Sequence, residues 1–330
     1  MMEYALYLGC TIPLKMPHFE KAFREISKIL GIKYKEMEGA GCCPDPVATQ
    51  SLNIDTWLTL GARNLSIAEK LGLDIMTVCS GCYETLKTVH VLLKEDKAAF
   101  DRVNAVLGKL GIEYKRTSKV IHFAELFSQD EMLEKIKSKV VKPLDSLNIA
   151  SHYGCHLIRP SKIMQFDHPE RPESMDKILK AIGASPVEFA AKLECCGYCA
   201  RLQDEIGMNL VEEKMTDLKN FHKEVDGMVA VCPACATQYD RKEKLISRKS
   251  EKELDIPVLY LAELMAIALG VDTTKLALKQ RSVKPTKLME KIKNIIKKIK
   301  NLIWHIITLT LIYFCISSFS FAKPKIGLAL

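Results

Sequence analysis

A cysteine pattern that occurs twice constrains this chain more than any other feature. Cys10, the vicinal pair Cys42-Cys43 and the pair Cys79/Cys82 make the first copy. Cys155, the vicinal pair Cys195-Cys196 and the pair Cys232/Cys235 make the second. Counting residues between, the copies read C-x31-CC-x35-C-x2-C and C-x39-CC-x35-C-x2-C. The interval of 35 is common to both, so the fold must bring its thiols together the same way twice. That points to an internal duplication with two built metal sites. Five thiolates per copy is one more than a tetrahedral zinc site or an ordinary iron–sulfur cube takes.

At 330 residues the chain has room for two domains of ordinary size, and 48% hydrophobic with 27% charged residues is a globular composition. Met1 to Leu8 run straight into Cys10 and read as a strand rather than a secretory signal. The cysteines are therefore expected in a reducing cytoplasm, where metal or redox chemistry outweighs a disulfide framework. The net charge of +8 belongs to the tail. Val271 to Leu330 hold 12 Lys+Arg against 2 acidic residues, which leaves 36 basic and 38 acidic side chains in the other 270. A body so nearly neutral gives no support to a nucleic-acid footprint.

The halves repeat more than their thiols. Tyr4 to Cys10 match Ile149 to Cys155, Leu73 to Cys79 match Asp226 to Cys232, and Val120 to Leu126 match Val258 to Leu264. These short apolar segments read as buried strands. His18 to Leu30, Thr56 to Leu71 and Glu205 to Phe221 carry apolar residues three and four apart and read as helices. The expectation is an α/β fold of two pseudo-symmetric halves, parallel sheets flanked by helices, plus a basic and hydrophobic C-terminal tail. The expected divisions are 1–142, 143–275 and 276–330, with the polar stretch Lys135 to Ser146 as the join. Cys10, Cys79, Cys155 and Cys232 each follow a strand and fall at carboxyl ends, where open α/β sheets build sites. Cys82 and Cys235 lie one turn on, near helix starts.

Plainer readings compete. Cys79-Ser80-Gly81-Cys82 alone would be a thioredoxin-like dithiol, but its repetition beside vicinal pairs argues against that. Structural zinc in one half would use four thiolates and leave the fifth idle. Cys199 has no counterpart in the first copy of the pattern and reads as a bystander, or as an added ligand or redox thiol. His156, Arg159 and Arg201 adjoin the cysteine motifs and suit an anionic substrate, or balance a cluster's negative charge. His152 and Trp57 read as core.

Beyond the cysteines, Tyr7-Leu8-Gly9-Cys10, Trp57-Leu58 with Ala62-Arg63-Asn64, Cys82 to Lys87, Tyr153-Gly154-Cys155-His156 with Arg159-Pro160, and Pro257 to Leu261 carry a resemblance. From Met1 to about Gly270 the chain resembles the B-type subunit of heterodisulfide reductase, with its duplicated cysteine-rich CCG domain. The resemblance implies a non-cubane [4Fe–4S] cluster in each half, held by that half's five cysteines. It implies cleavage of a small disulfide, of the type joining coenzymes M and B, between the two clusters. It also implies electrons from a ferredoxin-like iron–sulfur partner (the C-type subunit) fed by a flavin partner (the A-type subunit). The first vicinal pair continues as Pro44 rather than glycine, and Tyr198-Cys199 interrupt the run after the second. Other expected settings are the CCG subunit of a succinate dehydrogenase or fumarate reductase passing electrons to quinone, a sulfur-oxidation complex, and a zinc-held non-catalytic scaffold.

From Met289 the chain is Lys- and Ile-rich, and Leu302 to Ala322 make a 21-residue apolar run interrupted by His305 and hydroxyls. That length suits a membrane span with lysines on the cytoplasmic side. It also suits an amphipathic surface segment. A third reading takes Met289 as a start, the lysines as an n-region, and Ser320-Phe321-Ala322 as a small-x-small cleavage site. The residues after it resemble the opening of a patatin-like lipase. The pattern favours a neighbouring reading frame fused to the chain, with a membrane anchor over 302–322 next.

Overall fold

The computed structural model describes residues 3–200, 202–222, 224–250 and 254–319. The chain divides into two compact units, Met1–Pro285 and Thr286–Leu330. The first holds two four-stranded sheets. Strands β1 (Glu3–Tyr7), β2 (Lys33–Glu36), β3 (Ile75–Thr77) and β4 (Val120–His122) pair in the order β2-β1-β3-β4. Strands β5 (Asn148–His152), β6 (Ser185–Val187), β7 (Gly227–Ala230) and β8 (Val258–Tyr260) repeat it as β6-β5-β7-β8. Every pairing is parallel.

The central strands β3 and β7 are buried along their length, as strands covered on both faces must be. Two of the four edge strands, β2 and β6, differ. β2 is Lys-Tyr-Lys-Glu and mostly exposed, and β6 contains Pro186. Charge and proline are what edge positions tolerate. For that reason neither strand shows an apolar run in the sequence.

The principal helices are α1 (Pro17–Ile29), α2 (Ile54–Leu71), α3 (Ser80–Glu95), α4 (Phe123–Phe127), α5 (Asp204–Phe221), α6 (Pro233–Ser250) and α7 (Leu261–Ala268). Asn53 caps α2 by accepting from the Thr56 N–H at 2.8 Å, and Gly72 ends it in the left-handed region. The segments 120–126 and 258–264 are half strand and half helix. A glutamate sets each break: Glu125 Oε2 accepts from the His122 N–H at 3.4 Å and Glu263 Oε2 from the Tyr260 N–H at 2.8 Å. The stretch expected as the join begins inside a helix, since Asp130–Lys139 is helical.

The halves share one core. Phe19 of α1 stacks on Tyr260 at 4.2 Å, and Phe123 lies 5.9 Å from the same ring. Such pairs add about 0.5–1.5 kcal/mol each beyond burial. Ser80 donates to the Val231 carbonyl through both N–H and Oγ, at 3.3 and 3.1 Å. That contact sets the two CxxC turns against each other.

In the second unit, Thr286–Phe319 is one helix. Among the described residues no helix is long and apolar enough to cross a membrane. The anchor expected over 302–322 is therefore not supported over 302–319. Lysines precede the run, and His305, Thr308, Thr310 and Ser317 dilute it. Residues 320–330, with the expected cleavage pattern, lie outside the described residues.

Candidate metal centre

Each parallel sheet delivers its thiols at the carboxyl ends of its two inner strands. Cys10 follows β1 through Leu8-Gly9, and Cys79 follows β3 and caps α3, whose first turn carries Cys82. Cys155, Cys232 and Cys235 follow β5 and β7 in the same way. The vicinal pairs come in on the loops after β2 and β6. The Gly9 backbone has φ +67°, and a Cβ there would stand 2.6 Å from Cys82 Sγ. Glycine lets the strand exit pass against the sulfur.

The ten sulfurs form one uninterrupted run. Cys10 and Cys42 Sγ are 3.7 Å apart. Side-chain hydrogen-bond contacts continue from Cys42 to Cys43, Cys82 and Cys79. The run crosses between the halves at Cys79–Cys232. It then passes through Cys235, Cys196 and Cys195 to Cys155. The order in one half mirrors the order in the other. The middle six sulfurs are buried, while Cys10 and Cys42 are exposed and Cys155 and Cys195 half-buried, so the run opens at both ends. It lines a cavity of about 140 Å³ shared by both halves. That exceeds the ~30 Å³ share of one water, so the sulfurs surround space rather than fill it.

The thiols compete for protons. Hydrogen bonds from Cys155, then Cys196, hold Cys195 down at about 2, and Cys195 in turn pushes Cys196 up to about 12. Cys43 and Cys232 are also held low, by Cys42 and Cys235 first. Cys10, Cys79, Cys82, Cys155 and Cys235 are held high, chiefly by the same sulfur contacts, with burial adding to it. So many adjacent thiols cannot all ionise without cations between them. A soft, sulfur-only donor set with five members per half fits iron with inorganic sulfide.

Behind each run stands a polar support. In the first half Tyr7 Oη donates to the Gly41 carbonyl at 2.7 Å, and Asn64 holds Gly41 N and the Cys42 carbonyl at 3.0 and 2.9 Å. In the second, Lys214 Nζ donates to the Lys192 and Glu194 carbonyls at 3.1 and 2.7 Å and lies 3.0 Å from His152 Nδ1. Burial pulls Lys214 down to about 8 and holds His152 far below the usual imidazole range. His152, read from the sequence as core, is buried but only half satisfied, because its Nε2 has no partner. Trp57 is core.

Of the other expected residues, His156 lines the cavity and its Nδ1 lies 3.8 Å from Glu84 Oε2. Arg159 is exposed, and its Nη2 donates to the Pro169 carbonyl at 3.2 Å. Arg201 lies outside the described residues. Cys199 is exposed and lines the same cavity. Glu84 and Lys214 were missed. Both sit on apolar helix faces, Lys214 between Val211 and Leu218, and a charge at such a position is the signal that could have found them.

A family model for the CCG cysteine-rich domain matches twice, at residues 4–87 and 149–240. The chain is 35% identical to the B-type subunit of the ferredoxin/F420H2-dependent CoB-CoM heterodisulfide reductase of Methanosarcina acetivorans, over 88% of this chain and 97% of that protein. It is 34% identical to the 8-methylmenaquinol:fumarate reductase membrane anchor subunit of Wolinella succinogenes, over 87% and 99%. A crystal structure of a hypothetical protein from Helicobacter pylori shares the fold at 15% identity and a TM-score of 0.69, over 86% of this chain and 52% of that one.

Proposed function

The chain belongs to the family of duplicated cysteine-rich CCG domains that includes the B-type subunit of heterodisulfide reductase, and on that premise we propose that it reduces a small disulfide with two non-cubane [4Fe–4S] clusters. Its coarser role, an iron–sulfur electron-transfer subunit of an oxidoreductase complex, follows from the family itself. The observation that carries the finer reading is the unbroken run of ten sulfurs, five from each half, around one cavity.

Cys10, Cys42, Cys43, Cys79 and Cys82 would hold one cluster, and Cys155, Cys195, Cys196, Cys232 and Cys235 the other. We place the division between the two CCG domains near residue 142 and the end of the second near 275. When bound, each cluster supplies a one-electron couple and iron with affinity for sulfur. A disulfide takes up two electrons and two protons, so two facing one-electron centres match it. The chain's own part is to hold the sulfur sets on opposite sides of one cavity, in contact through Cys79 and Cys232. His156 reaches that cavity from the second half, and Glu84, from the first, would orient it to hold a proton for a product thiolate. The proposed partners are the ferredoxin-like iron–sulfur protein and the flavoprotein of such a complex, its C-type and A-type subunits, with a coenzyme M–coenzyme B type disulfide as substrate. Zinc in one half finds no support, because both halves assemble five sulfurs in the same order.

Anaerobic purification with native partners tests this reading. About eight irons per chain, with viologen-dependent reduction of the mixed disulfide, are expected. Four irons or fewer, or an intact disulfide beside reduced clusters, would overturn it. A second reading has its own support in the likeness to the fumarate reductase subunit. Co-purification with a flavoprotein that interconverts fumarate and succinate would select it.

A further inference from the structure

The polar supports behind the two sulfur runs occupy equivalent places but differ in charge. Tyr7 and His152 each end the first strand of their half. Asn64 and Lys214 each stand eleventh in their helices, α2 and α5. Both tie the strand's last side chain to the loop that carries the vicinal cysteines. In the first half the tie is neutral, and Tyr7 spends its only proton on the Gly41 carbonyl. In the second it is an ammonium and an imidazole.

The imidazole's proton can be located. A lysine ammonium has three donors and no acceptor. Two donors of Lys214 go to the Lys192 and Glu194 carbonyls, so the third addresses His152 Nδ1. The Tyr239 hydroxyl also faces Nδ1, at 3.3 Å. Nδ1 must therefore accept, which puts the proton of the neutral ring on Nε2. That nitrogen is buried and has no hydrogen-bond partner among the described residues. The ring nitrogen of His152 and the sulfurs of Cys196 and Cys235 lie within 4.8 Å of one another. A Cβ on Gly154 would stand 3.7 Å from both Nε2 and Cys235 Sγ, so Nε2 borders the same space as that sulfur.

We propose that Lys214 and His152 make the two centres unequal, so that the one held by the second-half cysteines is the easier to reduce. This rests on the iron–sulfur reading above. Reduction adds negative charge, and a hydrogen bond to ligand sulfur or a cation in a dry interior favours the reduced state. Among the described residues the first run has no buried cation: buried Thr85 reaches Cys43, but it is neutral and donates to the Pro44 carbonyl at 3.2 Å. Arg63, near its loop, is half-buried and donates to the Gly39 carbonyl at 2.9 Å, where water screens it. With clusters bound, the second-half cysteines would hold the centre that fills first, and the first-half cysteines, across Cys79–Cys232, the one that fills second. Lys214 and His152 are positioning residues: His152 stands beside ligand sulfur, Lys214 acts through His152, and neither lines the shared cavity.

The test is an anaerobic redox titration of the complex, followed by electron paramagnetic resonance, with iron counted in every sample. The wild type is expected to show two one-electron steps. In Lys214→Met the higher step falls by about tenfold in reduction equilibrium, about 59 mV for one electron, and the lower step stays. The double variant His152→Tyr, Lys214→Asn installs the pair that the first half already builds, and so guards against a folding failure of the single one. It is expected to draw the two steps together. Iron-loaded variants whose steps do not move, or move equally, would overturn this inference alone. A wild type without iron would overturn it together with the cluster reading.

Discussion

The two halves agree in everything that places a sulfur and differ in much that surrounds it. Strand order, the interval from vicinal pair to CxxC, and the place of Cys82 and Cys235 in their helices are the same. Around that frame the second half is more heavily charged inside. Lys214 stands where the first half has Asn64. Glu263 caps α7 fully buried beside buried Arg281, whereas its counterpart Glu125 is half-exposed and accepts from Tyr83 Oη at 3.0 Å. At the eleventh position of α3 and α6 the first half has His90 and the second Glu243. Duplication preserved ligand geometry and left the electrostatics free to diverge. That is what a pair of centres with different tasks requires.

Removing one thiol from each half tests how independent they are, and should have the greatest consequence. Cys43→Ala and Cys196→Ala should each lower iron per chain by about half and erase a different paramagnetic signal. Loss of all iron in either variant would mean that the run assembles as one unit. The buried cap comes next. Arg281→Met strands Glu263 as an unpaired buried carboxylate and removes a guanidinium lying 4.9 Å over Phe19. The expected loss is about 3–5 kcal/mol. Tyr83→Phe removes the corresponding contact in the first half and should cost about 1 kcal/mol. Denaturant midpoints measure both, and equal losses would erase the distinction between the two caps.

The sequence carried the ligand frame well, because thiols at fixed intervals survive any change of surroundings. The inner strands were legible as apolar runs. Two of the edge strands were not: β2 is polar and β6 holds Pro186, and only pairing with β1 and β5 makes them strands. The half-helical character of 120–126 and 258–264 depends on Glu125 and Glu263 reaching back to the backbone, which an apolar pattern hides. His156 was legible from its place beside Cys155, but Glu84 comes to it from the other half. The crossing at Cys79–Cys232 is a property of packing and has no trace in the spacing.

The strand exits repeat the contrast between the halves on a smaller scale. Gly9 and Gly154 both have positive φ, at +67° and +70°. Alanine at either position costs about 1–3 kcal/mol in backbone strain. Only at Gly9 would the new Cβ also run into sulfur, 2.6 Å from Cys82 against 3.7 Å from Cys235 at Gly154. Gly9→Ala should therefore cost about 2–4 kcal/mol and lower iron in the first half, while Gly154→Ala keeps its iron. Iron retained in both variants would show that the first sulfur yields.

The last difference is expected in pH dependence. Glu243 is fully buried, accepts from the Ile256 N–H at 2.7 Å, and leaves Oε2 without a partner. Burial raises it from the ordinary 4.5 to about 8. The folded chain thus keeps a proton that the unfolded chain gives up, so this contribution is complete below pH 4.5 and is lost as pH rises through 8. His90 works in the opposite direction. Burial, then Lys94, lowers it below the ordinary 6.5, so its contribution is complete above pH 6.5 and is lost as pH falls. Glu243→Gln should remove about 2 kcal/mol of the decline between about pH 6 and 8 and leave the acid limb alone. His90→Gln should flatten the acid limb only. Thermal melts across that range read both, and a Glu243→Gln variant that still declined like the parent would place the alkaline sensitivity elsewhere than in the second half's buried carboxyl.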